Sequence, residues 1–331
     1  MQRHLTFLEE KRWMKMNKKT LKPYVGVLLV ILCAADIFWL SDLIGRHSYY
    51  AQTIVGELLL AVIAVVLVLL FRADIKKVFP FGKPETEKAA GTLVFWLGCF
   101  IIAIVASSIL LVLFPEQMLE TSQQSGMSMG SGFFIVEFIL ICVLPGICEE
   151  LAFRGVLQGS LGSIKNKWIV IAIVSVIFGA FHGSVWRFVP TAILGAGMAY
   201  LLYETGNMIY NMMFHMINNL MPLLLLRGLS GLFDIYNAPG LRNISEMPAM
   251  TGVESMGQLS LMIVGMYIVY GAGAPLLIYM GNYLIHAGEP GYRKGLFPKE
   301  KNPLFTALTV SCFGLMGFGM MLMLVFVVRN M

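Results

Sequence analysis

The sequence predicts an all-α, polytopic bundle of about eight to nine transmembrane helices with a cytoplasmic N-terminus. Three observations lead to this prediction. Of the 331 residues, 58% are hydrophobic and 13% are charged, whereas a soluble domain has about 45–50% apolar and about 25% charged residues. The apolar residues form runs close to the length of about 20 that crosses a bilayer. Lysine and arginine recur in alternate loops, as they do when basic loops stay in the cytoplasm.

Nine apolar runs are long enough to be candidate spans. They lie near residues 24–44, 54–71, 92–114, 133–156, 168–183, 188–204, 207–226, 259–280 and 304–328. The fifth and sixth runs are short and closely spaced, so we expect a tight hairpin between them. The first run is too long for the apolar core of a signal peptide, which favours a retained span.

Basic residues orient the chain. Residues 1–23 hold seven lysines and arginines, and residues 115–132 hold none. Nine spans with a cytoplasmic N-terminus place the lysine-rich and arginine-rich loops on the cytoplasmic side. We expect the membrane to be the plasma membrane of a bacterium. Most of the net charge of +5 lies in short loops, so it indicates topology and not nucleic-acid binding. The five cysteines fall in or beside apolar runs without paired spacing, which predicts buried free thiols.

The stretch from Cys148 to Gly155 places two carboxylates and one guanidinium at the end of an apolar run. A charge near the bilayer centre costs about 2.5–3.5 kcal/mol, so we expect these groups to be functional. Glu150 and Arg154 are one helical turn apart and can pair, while Glu149 is turned by about 100° from Glu150. The pattern predicts a structural pair, Glu150 with Arg154, and a reactive carboxylate, Glu149. An ion cluster at the membrane interface is the alternative.

Two of the five histidines lie inside apolar runs. Phe178 and His182 are one helical turn apart, and so are His215 and Asn219. Two intramembrane histidines together with a carboxylate pair predict a site. Counting along the spans places His182 nearer the opposite side of the bilayer than Glu149 and His215, which does not by itself bring the three together.

These groups are compatible with two ways of activating a water molecule. A glutamate and a histidine, here Glu149 and His182, can take a proton from water and make a nucleophile for an amide carbonyl, while His215 and Asn219 can donate hydrogen bonds to the resulting oxyanion. Alternatively, Glu149, His182 and His215 could ligate a zinc ion. The HExxH motif is absent from the sequence, and we expect no organic cofactor.

Three further acids lie in or near apolar runs. Glu57 and Glu137 are close to the external ends of their spans, so we expect both to be solvated. Asp36 lies deeper, and we expect a hydrogen-bonded structural residue.

Taken in order, Glu149-Glu150-x-x-x-Arg154, Phe178-x-x-x-His182 and His215-x-x-x-Asn219 resemble the motif set of the CPBP family, also called Abi or CAAX prenyl endopeptidase type II. The resemblance covers roughly residues 130–226 and implies an all-helical intramembrane endopeptidase of the glutamic type, although a metal-dependent mechanism stays open. It implies that Glu149 and His182 activate water, that His215 and Asn219 stabilise the oxyanion, and that three residues support the site: Glu150, Arg154 and Phe178.

On this reading the chain divides into four parts: a basic cytoplasmic segment at 1–23, N-terminal spans at 24–129, the catalytic core at 130–226, and an extracytoplasmic loop with the C-terminal spans at 227–331. The expected partners are the lipid bilayer and a membrane-embedded or lipidated peptide, either a prenylated CAAX-type or a bacteriocin-related substrate. Two alternatives remain: a non-catalytic scaffold or bacteriocin self-immunity protein of the same fold, and an ion-coupled transporter.

Overall fold

The computed structural model describes residues 21–36, 39, 43, 49–114, 116–118, 121, 132–236, 253–290, 292, 295–296 and 303–330. Within these residues every regular element is a helix, which confirms the predicted fold class. In this part of the chain six helices are long and apolar enough to cross a membrane, and two shorter apolar helices accompany them. Large apolar side chains are exposed along the long helices, as expected of surfaces that face lipid.

The helices follow one another along the chain with short connections. The first four are α1 (Pro23–Ala35), α2 (Tyr49–Leu70), α3 (Ile75–Val78) and α4 (Thr86–Leu113). A segmented helix follows, made of α5 (Phe134–Glu137), π1 (Phe138–Val143), α6 (Leu144–Glu149), π2 (Glu150–Leu157) and α7 (Gln158–Ser160). The last five are α8 (Lys167–Ala180), α9 (Val185–Thr205), α10 (Met208–Tyr236), α11 (Val253–His286) and α12 (Pro303–Asn330).

The short fifth and sixth spans form the predicted tight hairpin, as α8 and α9 joined by a four-residue turn at 181–184. Between the apolar runs 207–226 and 259–280, α10 continues to Tyr236 and α11 begins at Val253, so both helices are longer than the runs that predicted them. An apolar window detects only the part of a helix that crosses the bilayer, and a helix can extend beyond it. The N-terminal residues 1–20 and the connection 237–252 lie outside the described residues.

The fourth span is not a continuous α-helix, because two π-helical segments, π1 and π2, flank α6. Pro145 is the second residue of α6, and a proline has no N–H to donate to the carbonyl four residues earlier. The hydrogen-bonding pattern therefore changes where π1 meets α6. π-Helical turns are rare and occur frequently at functional sites.

The chain forms two compact units that are interleaved along the sequence. The first contains residues 1–86 and 123–220, and the second contains residues 87–122 and 221–331. In the first unit α2 packs against α6 and π2, α1 packs against π2, and α8 packs against α9. In the second unit α11 packs along α12. The division of the chain predicted at residues 24, 130 and 227 stays a prediction.

Polar contacts connect the helix ends within the first unit. The backbone N–H of Gly82 donates to Oδ1 of Asn207 at 3.2 Å, and that of Glu85 donates to the Tyr210 hydroxyl at 2.7 Å. Nζ of Lys167, at the start of α8, lies 3.0 Å from Oε1 of Glu204 near the end of α9. These contacts fix the ends of the helices that carry the motifs.

Candidate active site

The paired glutamates lie at the junction of α6 and π2, where Glu149 ends one segment and Glu150 begins the next. Consecutive residues of a helix point to different faces. The Glu150 side chain is fully buried, whereas the Glu149 side chain is 15% exposed. Glu149 is therefore the carboxylate that a water or a substrate can reach.

The predicted pair of Glu150 and Arg154 is confirmed: Nη1 of Arg154 donates to Oε1 of Glu150 at 3.0 Å. Arg154 also donates through Nη2 to the carbonyl oxygen of Gly195 on α9, at 3.3 Å. Its guanidinium carbon lies 4.1 Å from the centre of the Phe178 ring. One buried side chain thus connects π2 with α8 and α9.

His215 lies beside both glutamates, and of the two contacts only the one with Glu150 was not predicted. Its Nδ1 lies 2.8 Å from Oε1 of Glu150, and its Nε2 lies 3.9 Å from Oε2 of Glu149. A carboxylate only accepts hydrogen bonds, so Nδ1 carries the proton in this contact. Glu150 therefore accepts from both Arg154 and His215, and the Nε2 edge of His215 faces Glu149.

His182 follows the end of α8, and its ring orientation is set by the backbone. Its Nδ1 donates to the carbonyl oxygen of Phe178 at 3.0 Å, because a carbonyl oxygen can only accept. The ring also interacts electrostatically with Glu149 and His215. The structure therefore brings His182 to the other two groups, which counting along the spans did not predict. α8 has only 14 residues, too few to cross a bilayer, so its end lies among the other helices.

The Phe178 ring lies against the imidazoles of both motif histidines. The side chain is 1% exposed, and its ring centre lies 4.9 Å from that of His182 and 5.9 Å from that of His215. The Phe153 ring packs edge-on against it at 5.2 Å. A rigid aromatic side chain in this place keeps the two imidazoles at a constant separation.

Asn219 contacts the segmented helix and not Glu149. Its Nδ2 donates to the carbonyl oxygen of Ile141 at 3.0 Å, and its Oδ1 accepts from Nδ2 of Asn218 at 3.4 Å. Ile141 is the residue four positions before Pro145, so its carbonyl is the one that the proline leaves without an α-helical donor. Since a carboxamide has two N–H bonds, one remains for another acceptor.

The zinc alternative finds no support in the arrangement of side chains. Among the residues that the structure describes, no three His, Cys, Asp or Glu side chains are grouped so that they could hold one metal ion. Glu149, His182 and His215 do not form such a group, and we derive no chemical step through a metal. All five cysteines are free and buried, as predicted.

Glu57 is a neighbour of the site that reasoning from the sequence missed. It lies eight residues into α2, about 12 Å along the helix axis, and interacts with the Glu149 side chain within hydrogen-bonding reach. The expectation of a solvated Glu57 is wrong, because α2 begins five residues earlier than the apolar run that predicted it. The only signal in the sequence was an acid inside a long apolar run.

Glu137 was also expected to be solvated, and this is wrong too. The side chain is fully buried, and its Oε1 accepts a hydrogen bond from the backbone N–H of Gly132 at 2.8 Å. Asp36, after the end of α1, is fully buried as well. Position in an apolar run does not reveal which neighbouring helix covers an acid.

Comparison with known proteins gives one result for this region. The family model described as type II CAAX prenyl endopeptidase Rce1-like matches residues 131–221. The comparison with curated proteins and the comparison with solved structures gave no match. The matched range contains all three motifs and the contacts that join them, whereas Glu57 lies outside it. Residues 131–221 are therefore similar to type II CAAX prenyl endopeptidases, in agreement with the resemblance carried by the three motifs.

Proposed function

We propose that this protein hydrolyses a peptide bond of a membrane-embedded or lipidated peptide in the bacterial plasma membrane. The observation that supports this most directly is the approach of Oε2 of Glu149 to Nε2 of His215, at 3.9 Å. Within the described residues this carboxylate oxygen is buried and accepts no hydrogen bond. A water molecule beside the two atoms would be within hydrogen-bonding distance of each.

Glu149 and His182 activate this water in the proposed reaction. The Nδ1–H of His182 is held by the Phe178 carbonyl, so the neutral ring presents a basic Nε2. Glu149 and His182 together take one proton from water, and the hydroxide attacks the amide carbon. When the C–N bond breaks, the same proton passes to the leaving nitrogen.

The oxyanion of the tetrahedral intermediate accepts hydrogen bonds from His215 and Asn219. With Nδ1–H bound to Glu150, His215 donates to the oxyanion from Nε2, which carries a proton only in the doubly protonated ring. Asn219 donates through the N–H that the Ile141 carbonyl does not use. Donors aimed at the developing charge stabilise the transition state more than the substrate.

Glu150, Arg154 and Phe178 support these groups without touching the reacting atoms. The substrate class is a prenylated CAAX-type or bacteriocin-related peptide, and the bilayer is the second partner. A nucleic acid is not a partner, and no organic cofactor takes part. Prenylated CAAX-type peptides come first in the test because the matched family model is described by that activity.

A cleavage assay in detergent or liposomes tests the proposal. Wild type, Glu149→Ala and His182→Ala are compared on a prenylated CAAX peptide and on a panel of transmembrane peptides. Loss of a general base lowers kcat by about 10²–10⁴-fold, and this is the expected result for each variant. Lys167→Ala is the control, since it removes a partly exposed ion pair at a helix end. Equal activity of all variants would contradict the mechanism.

A chelator separates the two ways of activating water. We expect the activity to be unchanged after chelation and removal of free metal. If the activity is lost and zinc alone restores it, the reaction depends on a metal, and the proposal that Glu149 and His182 activate the water by themselves is wrong. If the folded wild type cleaves none of the peptides, a non-catalytic scaffold or self-immunity role is favoured.

A further inference from the structure

We propose that Glu57 of α2 is a positioning residue of the active site, whose carboxyl group donates a hydrogen bond to Glu149 and orients that carboxylate. Glu57 lies outside residues 131–221, so the site extends beyond the region that matches the family model. The inference rests on the proposed function, because it requires Glu149 to be the reactive carboxylate.

The geometry comes from the packing of α2 against α6 and π2. This packing brings the Glu57 side chain within hydrogen-bonding reach of the Glu149 side chain. Oε2 of each carboxyl group is buried, and in the described part of the chain neither accepts a hydrogen bond. Oε2 of Glu149 is the oxygen that lies 3.9 Å from Nε2 of His215, so in the proposed arrangement Glu57 donates to the other oxygen, Oε1.

Two carboxyl groups in contact cannot both be ionised at low cost, so one proton lies between them. The neighbours of the two groups differ. Glu149 interacts with a guanidinium and two imidazoles, those of Arg154, His182 and His215. The groups that act on Glu57, besides Glu149, are the Asp36 carboxyl and the Cys148 thiol. Glu57 is therefore the acid, and its O–H donates to the Glu149 carboxylate.

This hydrogen bond restricts the rotation of the Glu149 side chain. Glu149 is partly exposed, and a glutamate on a helix has several rotamers of similar energy. The donor from Glu57 selects the rotamer in which the second oxygen faces His215. A group that acts in this way changes the rate of the chemical step more than the binding of the substrate.

Two substitutions of Glu57 distinguish hydrogen-bond donation from other roles. Glu57→Gln keeps an N–H donor at the same distance and removes the acid, whereas Glu57→Ala removes the donor. We expect Glu57→Ala to lower kcat by up to about 10²-fold, since a misplacement of about 1 Å in a catalytic group can cost that much, with KM unchanged. We expect Glu57→Gln to recover most of the wild-type kcat.

Glu137→Gln is the matched control. It replaces another buried glutamate of the same unit, and the amide oxygen can still accept from the Gly132 N–H. Its kcat should equal that of wild type. A Glu57→Ala variant with wild-type kcat overturns the inference, and so does a Glu57→Gln variant as impaired as Glu57→Ala. A raised KM with unchanged kcat also overturns it, since it assigns Glu57 to substrate binding.

Cleavage by Glu149→Ala shows whether a negative result concerns only the role of Glu57 or the proposed function as well. If Glu149→Ala is inactive while Glu57→Ala is normal, only the role of Glu57 is wrong. If Glu149→Ala cleaves as well as wild type, both are wrong.

An infrared difference spectrum of wild type minus Glu57→Gln gives a readout without substrate. We expect a carboxylic-acid C=O band, and its absence overturns the shared proton.

Discussion

Arg154 shows how one side chain can hold a site together. It donates to Glu150 and to the Gly195 carbonyl, and it stacks on Phe178. Its guanidinium is planar and presents several donors at fixed angles, which a lysine cannot reproduce. Because the Arg154 and Glu150 side chains are both fully buried, removal of the cation leaves an uncompensated buried charge.

We expect Arg154→Ala to lower the free energy of unfolding by about 3–5 kcal/mol and to abolish cleavage, because Glu150 and His215 lose their arrangement. Arg154→Lys should retain part of the stability and little of the activity. Lys167→Ala is the control, because its partly exposed pair with Glu204 contributes about 0–1 kcal/mol. Denaturant unfolding in detergent measures all three, and equal losses for Arg154→Ala and Lys167→Ala would contradict the assignment.

Asn219 is the second residue whose contribution to the cleavage rate can be tested by a single substitution. Asn219→Ala removes a proposed oxyanion donor, so we expect kcat to fall by about 10²–10³-fold. Asn218→Ala removes only a long hydrogen bond of 3.4 Å and should change kcat far less. Steady-state cleavage of the same peptide compares the two. Equal losses would assign the effect to the helix surface and not to the Asn219 donor.

At the scale of elements, the crossing of α8 and α9 sets the position of Phe178 and His182. Gly179 lies at this crossing, where a Cβ atom would come within 2.9 Å of the Phe188 carbonyl oxygen and 3.0 Å of the Ala192 Cβ. The backbones can approach this closely only because the residue has no side chain. The second motif therefore needs a small residue between its phenylalanine and its histidine.

We expect Gly179→Ala to separate α8 from α9, to lower the free energy of unfolding by about 1–3 kcal/mol and to reduce kcat. Gly159→Ala is the matched control, because no atom lies within 4 Å of the added methyl group. It should be neutral or stabilise by up to about 1 kcal/mol. Thermal unfolding in detergent and the cleavage assay check both variants, and similar behaviour would show that the crossing does not depend on Gly179.

At the scale of the whole molecule, the basic loops orient the chain in the membrane. The side chain of Lys83 is exposed in the connection between α3 and α4, on the side predicted to be cytoplasmic. Ser125 belongs to the stretch 115–132, which contains no lysine or arginine and is predicted to be external. Both assignments follow from the sequence.

A membrane-impermeant maleimide tests this orientation. The five native cysteines are buried, so wild-type protein should react little. We expect Ser125→Cys to be labelled in intact cells and Lys83→Cys to be labelled only after the membrane is permeabilised. The opposite pattern would reverse the orientation and place the proposed site on the other side of the bilayer.

The sequence predicted the elements of the site better than their contacts. The pairing of Glu150 with Arg154 was predictable because the two residues are one turn apart on a single helix. The interaction of His182 with Glu149 was implied by the resemblance but did not follow from counting along the spans, since the length of α8 and the packing of separate helices decide it. Glu57 was misjudged because the sequence contains no information on which helix covers it.

The sequence by itself determined that this is an all-helical membrane protein, and it singled out the residues of the three motifs. The lengths of apolar runs and the cost of charges within them are local properties, which can be read along the chain. Only the tertiary structure decided that His215 contacts Glu150, 65 positions away, and that Glu57 lies beside Glu149. Such contacts depend on how separate helices pack, and no periodicity along one helix contains them.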